Sequence, residues 1–378
     1  RPGTGYDGNN LMLQFTQWGQ RQLDIDRAKN YMLPDGTQLT WNRTAWDNPK
    51  PKYTDNPYWI RYMSYQNDGR NRIFGNVSAN YKLTDNITID VRSSTDTYSE
   101  TQEERIAIGS QSIPSYSLYK INFMENNLQG VVNFNKDLSE TFSLNAYVGA
   151  NRMKQNRSSM FGTTVDGLSS AVYNLSASVG NPRVSEGKFE KQINSVFGSA
   201  SLGYKDVLFL DIAARNDWSS TLPAGENSYF YPSVSTSYVF TDLIGASWLN
   251  LAKVRAAVAK VGNDTDPYNT LLSYSLNQPF GNYSRVSVPN TLPNNELKPE
   301  ITTEYEVGAE FRLFDDRLGT NFSYYNRQTE NQILAISRSA ATGHTFKYVN
   351  AGLVENKGVE LNVYGTPIRT NDFSWDVN

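Results

Sequence analysis

The sequence predicts an all-β chain: an antiparallel transmembrane β-barrel fragment, about twelve strands of a roughly 22-stranded barrel. Three observations carry this. Apolar and polar residues alternate at period two in many stretches. Tight turns and long polar loops alternate as connectors. Charged residues fall on one strand face only, where they need water beside them. The clearest stretch runs from Thr303 to Leu313. Thr303, Tyr305, Val307, Ala309, Phe311 and Leu313 share one face, and Glu304, Glu306, Gly308, Glu310 and Arg312 share the other. Asp315-Asp316 turns the chain. Leu318, Thr320, Phe322 and Tyr324 then oppose Gly319, Asn321, Ser323 and Tyr325, and Val359, Leu361 and Val363 repeat the pattern.

One such hairpin fits two folds. In a soluble sandwich the apolar face turns inward. In a membrane barrel it meets lipid and the polar face lines a wet lumen. The rest of the chain separates them. Residues 1–70 are irregular, with Leu33-Pro34-Asp35-Gly36-Thr37, Asp47-Asn48-Pro49-Lys50-Pro51 and Asn56-Pro57-Tyr58-Trp59. Such Pro, Gly and Asn clusters read as a long loop or hinge region, here assigned to the extracellular side, with a short helix within 11–29. Residues 71–378 read as barrel hairpins. Strands are expected near 73–83, 87–96, 127–136, 140–151, 192–204, 207–216, 229–240, 250–261, 302–313, 318–328, 354–365 and 373–378. Short turns fall at Thr84-Asp85-Asn86, Asp137-Leu138-Ser139, Lys205-Asp206 and Asp315-Asp316, with longer ones after Phe240 and Thr366. Long loops are expected over 97–126, 152–191, 217–228, 262–301 and 329–353. Strict short–long order is the layout of an outer-membrane barrel with its short side periplasmic, and a sandwich has no reason to keep it.

Composition sets further bounds. The chain has 378 residues, 13% of them aromatic, and a net charge of −3. Mean hydropathy is −0.56, and no stretch approaches the roughly 20 apolar residues of a membrane helix. A barrel tolerates this, because half of each strand is polar. The charge gives no reason to expect nucleic acid. The absence of Cys excludes disulfides and thiolate metal sites. The chain starts at Arg1 and stops in mid-strand, so an internal piece of a longer protein is expected, with the plug domain outside it.

Several short motifs, in order, resemble the SusC-like (SusC/RagA-type) group of TonB-dependent outer-membrane transporters of Bacteroidota. They are Gln17-Trp18-Gly19-Gln20-Arg21, Asp55-Asn56-Pro57-Tyr58-Trp59, Arg72-Ile73-Phe74-Gly75-Asn76, Tyr81-Lys82-Leu83-Thr84, Arg215-Asn216-Asp217-Trp218-Ser219-Ser220, Tyr231-Pro232-Ser233-Val234-Ser235, Val254-Arg255-Ala256, Gly262-Asn263, Leu297-Lys298-Pro299-Glu300, and Asn350-Ala351-Gly352 with Asn356-Lys357-Gly358-Val359-Glu360. One departure is Trp218, where the group's pattern after Arg-x-Asp has Gly. The resemblance implies active import of oligosaccharides or peptides across the bacterial outer membrane. It also implies a SusD-like surface lipoprotein as lid, and TonB acting through a plug and TonB box outside this piece.

No enzyme, cofactor or metal is expected. His344 is the only histidine and falls in a loop. Asn263-Asp264-Thr265-Asp266 lacks the rest of a calcium-loop pattern. Glu304, Glu306, Glu310 and Arg312 follow from strand periodicity and are expected to face the lumen. Trp18, Trp41, Trp46, Tyr58, Trp59, Trp218, Tyr229 and Phe230 sit in or beside long loops. They are the candidates for substrate or lid contact, since flat aromatic faces pack on sugar rings and peptide side chains. Two other classes stay open: a lid-free importer of a siderophore or cobalamin, and a non-transporting surface protein or adhesin.

Overall fold

A computed structural model describes residues 10–378; residues 1–9 of the loop region lie outside the described residues. Twelve strands form one antiparallel sheet. They are β1 (Gln66–Lys82), β2 (Ile87–Ile106), β3 (Ser115–Asp137), β4 (Phe142–Thr163), β5 (Arg183–Tyr204), β6 (Leu208–Ser219), β7 (Ser228–Val239), β8 (Leu249–Asn263), β12 (Glu300–Leu313), β13 (Leu318–Glu330), β16 (Leu353–Arg369) and β17 (Ser374–Val377). Each pairs with the next in that order, so the topology is an unbroken meander. Five short strands lie between them. β9 (Ser275–Phe280) pairs with β10 (Tyr283–Ser287), and β15 (Phe346–Asn350) lies between β11 (Thr291–Leu292) and β14 (Ile333–Ser337).

The expected strands are all present, but the first five run further than alternation suggested. β2 continues to Ile106, β3 starts at Ser115, β4 reaches Thr163 and β5 starts at Arg183. The expected loops 97–126 and 152–191 are therefore mostly strand. β3 has 23 residues, about 76 Å of extended chain, while a membrane crossing takes about 9–11 residues. More than half of this strand lies beyond any hydrocarbon. There the apolar row is short: Tyr119, Ile121 and Phe123 share one face, and no such row continues back to Ser115. The expected helix within 11–29 is two pieces, Leu11–Trp18 and Ile25–Ala28, broken around Gly19.

Two compact units divide the chain. The first holds 1–74, 96–125 and 156–189; the second holds 75–95, 126–155 and 190–378.

In the second unit the register lines apolar residues into lateral rows. One runs Tyr238, Val254, Ala309, Phe322, Leu361. Another runs Leu210, Thr236, Ala256, Val307, Tyr324, Val359. The opposite face carries Lys253, Glu310, Asn321 and Asn362 in one row. Burial is inverted relative to a sandwich. Val307 is 51% exposed and Leu361 65%, while Gly308 is buried and the Glu310 side chain is 18% exposed. An apolar face left open beside an enclosed polar face is stable only where the outer solvent is itself apolar.

Aromatic residues mark both ends of that apolar face. Near the tight turns, Phe142 packs on Tyr204 at 4.8 Å, Phe240 on Phe311 at 6.3 Å, and Trp248 on Phe314 at 6.4 Å. On β6 and β7, Trp218 and Phe230 continue the outward rows of Leu210, Ile212 and Val234. The stretch from Leu208 to Trp218 rises about 33 Å along the strand, or about 25 Å across a bilayer at a tilt of about 40°. That matches the height of an apolar band between two aromatic girdles.

The first unit is organised differently. Its described loop segment folds on a hydrogen-bonded centre. Asp55 Oδ1 accepts from Gln38 Nε2 at 2.8 Å and from the Gln111 amide at 2.7 Å. Asn56 Nδ2 donates to the carbonyls of Ala28 and Leu39, and its Oδ1 caps the helical turn Pro57–Tyr62 at the Tyr58 amide. Trp59 is 1% exposed, and its Nε1 donates to Ser110 Oγ at 2.9 Å. The cluster read as loop in the sequence thus starts a helical turn, Asn56 accepting at the cap and Pro57 lacking an amide to satisfy.

Candidate functional site

Three of the expected lumen-facing carboxylates have arginine partners. Glu304 pairs with Arg327 at 2.5 Å, Glu306 with Arg255 at 3.2 Å, and Glu310 with Arg312 at 2.8 Å. Two of those partners, Arg327 and Arg255, come from flanking strands, so strand periodicity alone did not show them. Glu304, Glu306 and Glu310 are thus each held by an arginine on the polar face. Close approach requires glycine here. A Cβ on Gly308 would sit 2.7 Å from Arg255 Cζ, and one on Gly358 would sit 2.8 Å from the Tyr325 hydroxyl. At Gly308 the Phe322 carbonyl oxygen also lies 2.9 Å from that Cβ, whereas at Gly358 only the Tyr325 side chain would have to shift.

Two further motifs meet each other. The Asn350 side chain accepts from the Lys298 amide at 2.8 Å and donates to the Lys298 carbonyl at 2.7 Å. Glu300 accepts from the Ile333 amide at 2.7 Å, and Leu297 is fully buried against Leu222 and Tyr229. Nearby, Asp264 accepts from Lys191 Nζ at 2.6 Å and from Ser219 and Thr221. Asp217 takes Arg215 at 2.8 Å and the Tyr231 hydroxyl. Asp264 thus fixes the ends of loops. Among the described residues no group of His, Asp and Glu is arranged to hold a metal ion. His344 Nδ1 lies 2.8 Å from the Pro289 carbonyl, a loop contact.

The aromatic contact candidates separate by environment. Trp59 and Tyr229 are buried, so their rings fill cores rather than offer a face to a ligand. Trp218 and Phe230 lie on the apolar outer rows, in the belt position. Tyr58 stacks at 6.4 Å on Tyr62, which in turn stacks on Tyr31 at 5.4 Å. Trp18 lies parallel to Tyr53 at 6.4 Å. Trp46 is 89% exposed. Trp41 lines a cavity of about 360 Å³ with Leu23, Arg27 and Thr40. Trp18, Trp41, Trp46 and Tyr58 therefore keep ring surface available.

A group of converging polar and aromatic side chains was missed by sequence reasoning. It lies in the first unit, around a cavity of about 540 Å³, within the size range of ligand sites. Asp68 and Arg70 come from β1, Glu100, Gln102, Glu103 and Glu104 from β2, Ser117 and Tyr119 from β3, and Phe161 from β4. Arg70 donates from Nε to Glu100 at 2.8 Å and lies 4.6 Å from the Tyr98 ring centre. Tyr98 stacks on Phe123 at 4.9 Å, and Tyr119 meets Phe161 edge-on at 6.2 Å. Arg157 donates to the Tyr119 hydroxyl at 3.3 Å. Period-two spacing of Tyr98, Glu100, Gln102 and Glu104 was the available signal; with no apolar partner row it read as loop.

The family model described as TonB dependent receptor-like, beta-barrel matches residues 6–378. TonB-dependent receptor P26 of Formosa agariphila is 27% identical over 260 residues, covering 66% of this chain and 26% of that protein. TonB-dependent receptor SusC of Bacteroides thetaiotaomicron is 26% identical over 196 residues, covering 49% of this chain and 19% of that protein. The chain therefore matches about a quarter or less of these relatives' length. Among solved structures, the RagAB peptide transporter superposes with a TM-score of 0.78 at 18% identity, covering 89% of this chain and 38% of that chain. The ferric-catecholate import receptor Fiu of E. coli superposes at 0.53 and 12% identity, covering 81% of this chain and 46% of that chain. These structures share the fold.

Proposed function

Since the chain belongs to the TonB-dependent receptor β-barrel family of the outer membrane, we propose that its protein actively imports oligomeric nutrients, oligosaccharides or peptides. The observation that carries the reading is the inverted sheet. Apolar rows stay open on one face between aromatic residues, and the opposite face carries the paired Glu304, Glu306, Glu310 and Arg312, which in this reading line the lumen. Strands β2 to β5 continue well past a membrane's thickness, which supports a deep extracellular vestibule suited to oligomers rather than small chelates. In this reading residues 10–65 and the long loops are extracellular and the tight turns periplasmic.

A SusD-like lipoprotein closes the vestibule, with Trp18, Trp46 and Tyr58 among the surfaces open to it or to substrate. Energy comes from TonB through a plug outside this segment. The family is one of transporters, and no catalytic residue is assigned.

A mild-detergent pull-down of the full-length protein from outer membranes, read by mass spectrometry, tests this. A near-stoichiometric surface lipoprotein is expected. An outer-membrane protein isolated with no such partner favours lid-free import of a small chelate. Recovery from the soluble fraction overturns the barrel reading.

A further inference from the structure

The cavity beside Trp41, in the loop segment before β1, is held in shape by its own hydrogen bonds. Asn56 Nδ2 donates to the carbonyls of Ala28 and Leu39, both at 2.9 Å, and all three residues line the space. Trp41 is partly exposed and stands between buried Thr40 and buried Asn42. Asn42 Oδ1 accepts from the Tyr53 amide at 2.9 Å, and its Nδ2 donates to the Thr54 carbonyl. The indole is therefore carried on a fixed stretch of backbone. Thr40 is 6% exposed and lines the same space. Its hydroxyl accepts from the Asn42 amide at 3.3 Å and from Asn42 Nδ2 at 3.2 Å. Both lone pairs are then used, and among the described residues its own proton finds no acceptor. A buried hydroxyl proton beside an aromatic wall calls for an oxygen from an occupant.

Charge on the wall is matched. Asp24 and Arg27 are its charged residues, and Arg27 Nε lies 3.4 Å from Asp24 Oδ2. Asp26 and Lys29 pair with each other at 2.7 Å away from the wall, and Arg21 is not on it. An aromatic face, a buried donor and a balanced charge pair around one small cavity form the recognition chemistry of a neutral sugar. A pyranose offers an apolar face of C–H groups to the indole. Its edge offers hydroxyls, each both donor and acceptor, to Thr40, Asp24, Arg27 and the Asn30 amide. The volume of about 360 Å³ is at the low end for ligand sites, which suits one sugar unit.

We propose that this cavity is a subsite for one neutral hexose unit of an imported oligosaccharide; the proposal rests on the importer reading above and chooses between its two substrate classes. An aromatic peptide side chain would cover the indole but leave the Thr40 proton and the polar rim without partners. An acidic side chain or uronic acid would meet Asp24 beside Arg27, which is already neutralised.

The test uses the full-length protein, purified from outer membranes with whatever lid accompanies it. Binding of maltohexaose, laminarihexaose, mannohexaose, hexagalacturonate and a neutral phenylalanine-containing hexapeptide is measured by calorimetry. At least one neutral hexasaccharide is expected to bind, with an affinity that salt leaves unchanged. Trp41→Ala should weaken it about tenfold, and Trp41→Tyr, which keeps a flat ring, should recover most of the loss. Asp85→Asn, at the tight turn after β1, is the control and should leave affinity unchanged. Heat-modifiable migration on gels verifies the barrel. Slow exchange at the Tyr58 amide, held by Asn56 Oδ1 at 2.9 Å, verifies the loop segment.

Equal affinity in Trp41→Ala and the parent overturns the subsite, and so does a protein that carries its lipoprotein and binds none of the neutral hexasaccharides. Loss of the lipoprotein from Trp41→Ala at unchanged sugar affinity also overturns it and gives the cavity to the lid. Preference for the hexapeptide or hexagalacturonate overturns the neutral-sugar assignment and leaves the importer standing. A protein with no lipoprotein partner and no oligomer binding removes the importer reading itself.

Discussion

In β12 the exposed positions are Tyr305, Val307 and, near the turn, Arg312, while Gly308 is buried and Glu310 is largely enclosed. In the loop segment before β1 the enclosed positions include the polar Gln38, Thr40, Asn42, Thr54, Asp55 and Asn56 beside Trp59 and Ile60. Both regions enclose polar groups, for different reasons. The strand must satisfy lipid on its outer side, so polarity collects on the inner one. The loop must satisfy the backbone of a coil without a ladder, so amide and carboxylate side chains supply the missing partners. A residue's burial therefore reads differently in the two regions, and substitutions can separate them.

The largest effect is expected at the centre of the loop segment. Trp59→Ala removes a fully buried indole and its bond to Ser110 and should cost about 3–5 kcal/mol of local stability. Hydrogen exchange over 28–65 should rise while exchange in β12 and β13 stays slow. Equal loosening of both would mean the two regions are not independent.

Next comes the outer face. Val307→Arg should cost about 2–4 kcal/mol in a bilayer, read as a lowered denaturation midpoint of the refolded full-length protein. On a water-facing strand the same change at a half-exposed site would be nearly silent.

Asn350→Ala removes the bonds to Lys298 and Asn331 and should cost about 1–3 kcal/mol, seen as faster exchange at the Lys298 amide. Unchanged exchange would show that the two motifs meet without supporting each other.

The smallest effect concerns pH. Burial raises the Asp55 carboxyl above its usual range, against the lowering effect of Gln38 and the Gln111 amide. A carboxyl that holds its proton more tightly when folded stabilises the folded state at low pH. That contribution fades as pH rises from the ordinary carboxylate value through the folded one. Protection of the Gln111 amide, corrected for intrinsic exchange, should therefore fall across that window, and Asp55→Asn should flatten the response. Protection rising with pH would reverse the assignment.

The same comparison explains what the sequence showed of this molecule. The lipid-facing strands were readable because lipid forces a period-two apolar row; Val307, Phe322 and Leu361 announce their neighbours by pattern alone. Beyond the membrane that pressure ends. The outer halves of β2 to β5 therefore read as loop, and the cavity around Glu100 and Tyr119 went unseen. The loop aromatics were found by type but not by role. Nothing local distinguishes Trp59, buried under Tyr31 and against Ser110, from Trp46, which stands in water. The partners of Glu304 and Glu306 depended on register, which alternation within one strand does not supply.

The most direct measurement is solvent access at neighbouring positions of one strand. This chain contains no cysteine, so single cysteines can be placed cleanly in it. Glu306→Cys and Val307→Cys, each in a cysteine-free full-length protein in outer membranes, would be treated with a charged, membrane-impermeant maleimide. The barrel predicts labelling at position 306 and protection at 307, with the same contrast between Asn321→Cys and Phe322→Cys. Labelling at 307 and 322 with protection at 306 and 321 would contradict it and put the apolar face in water.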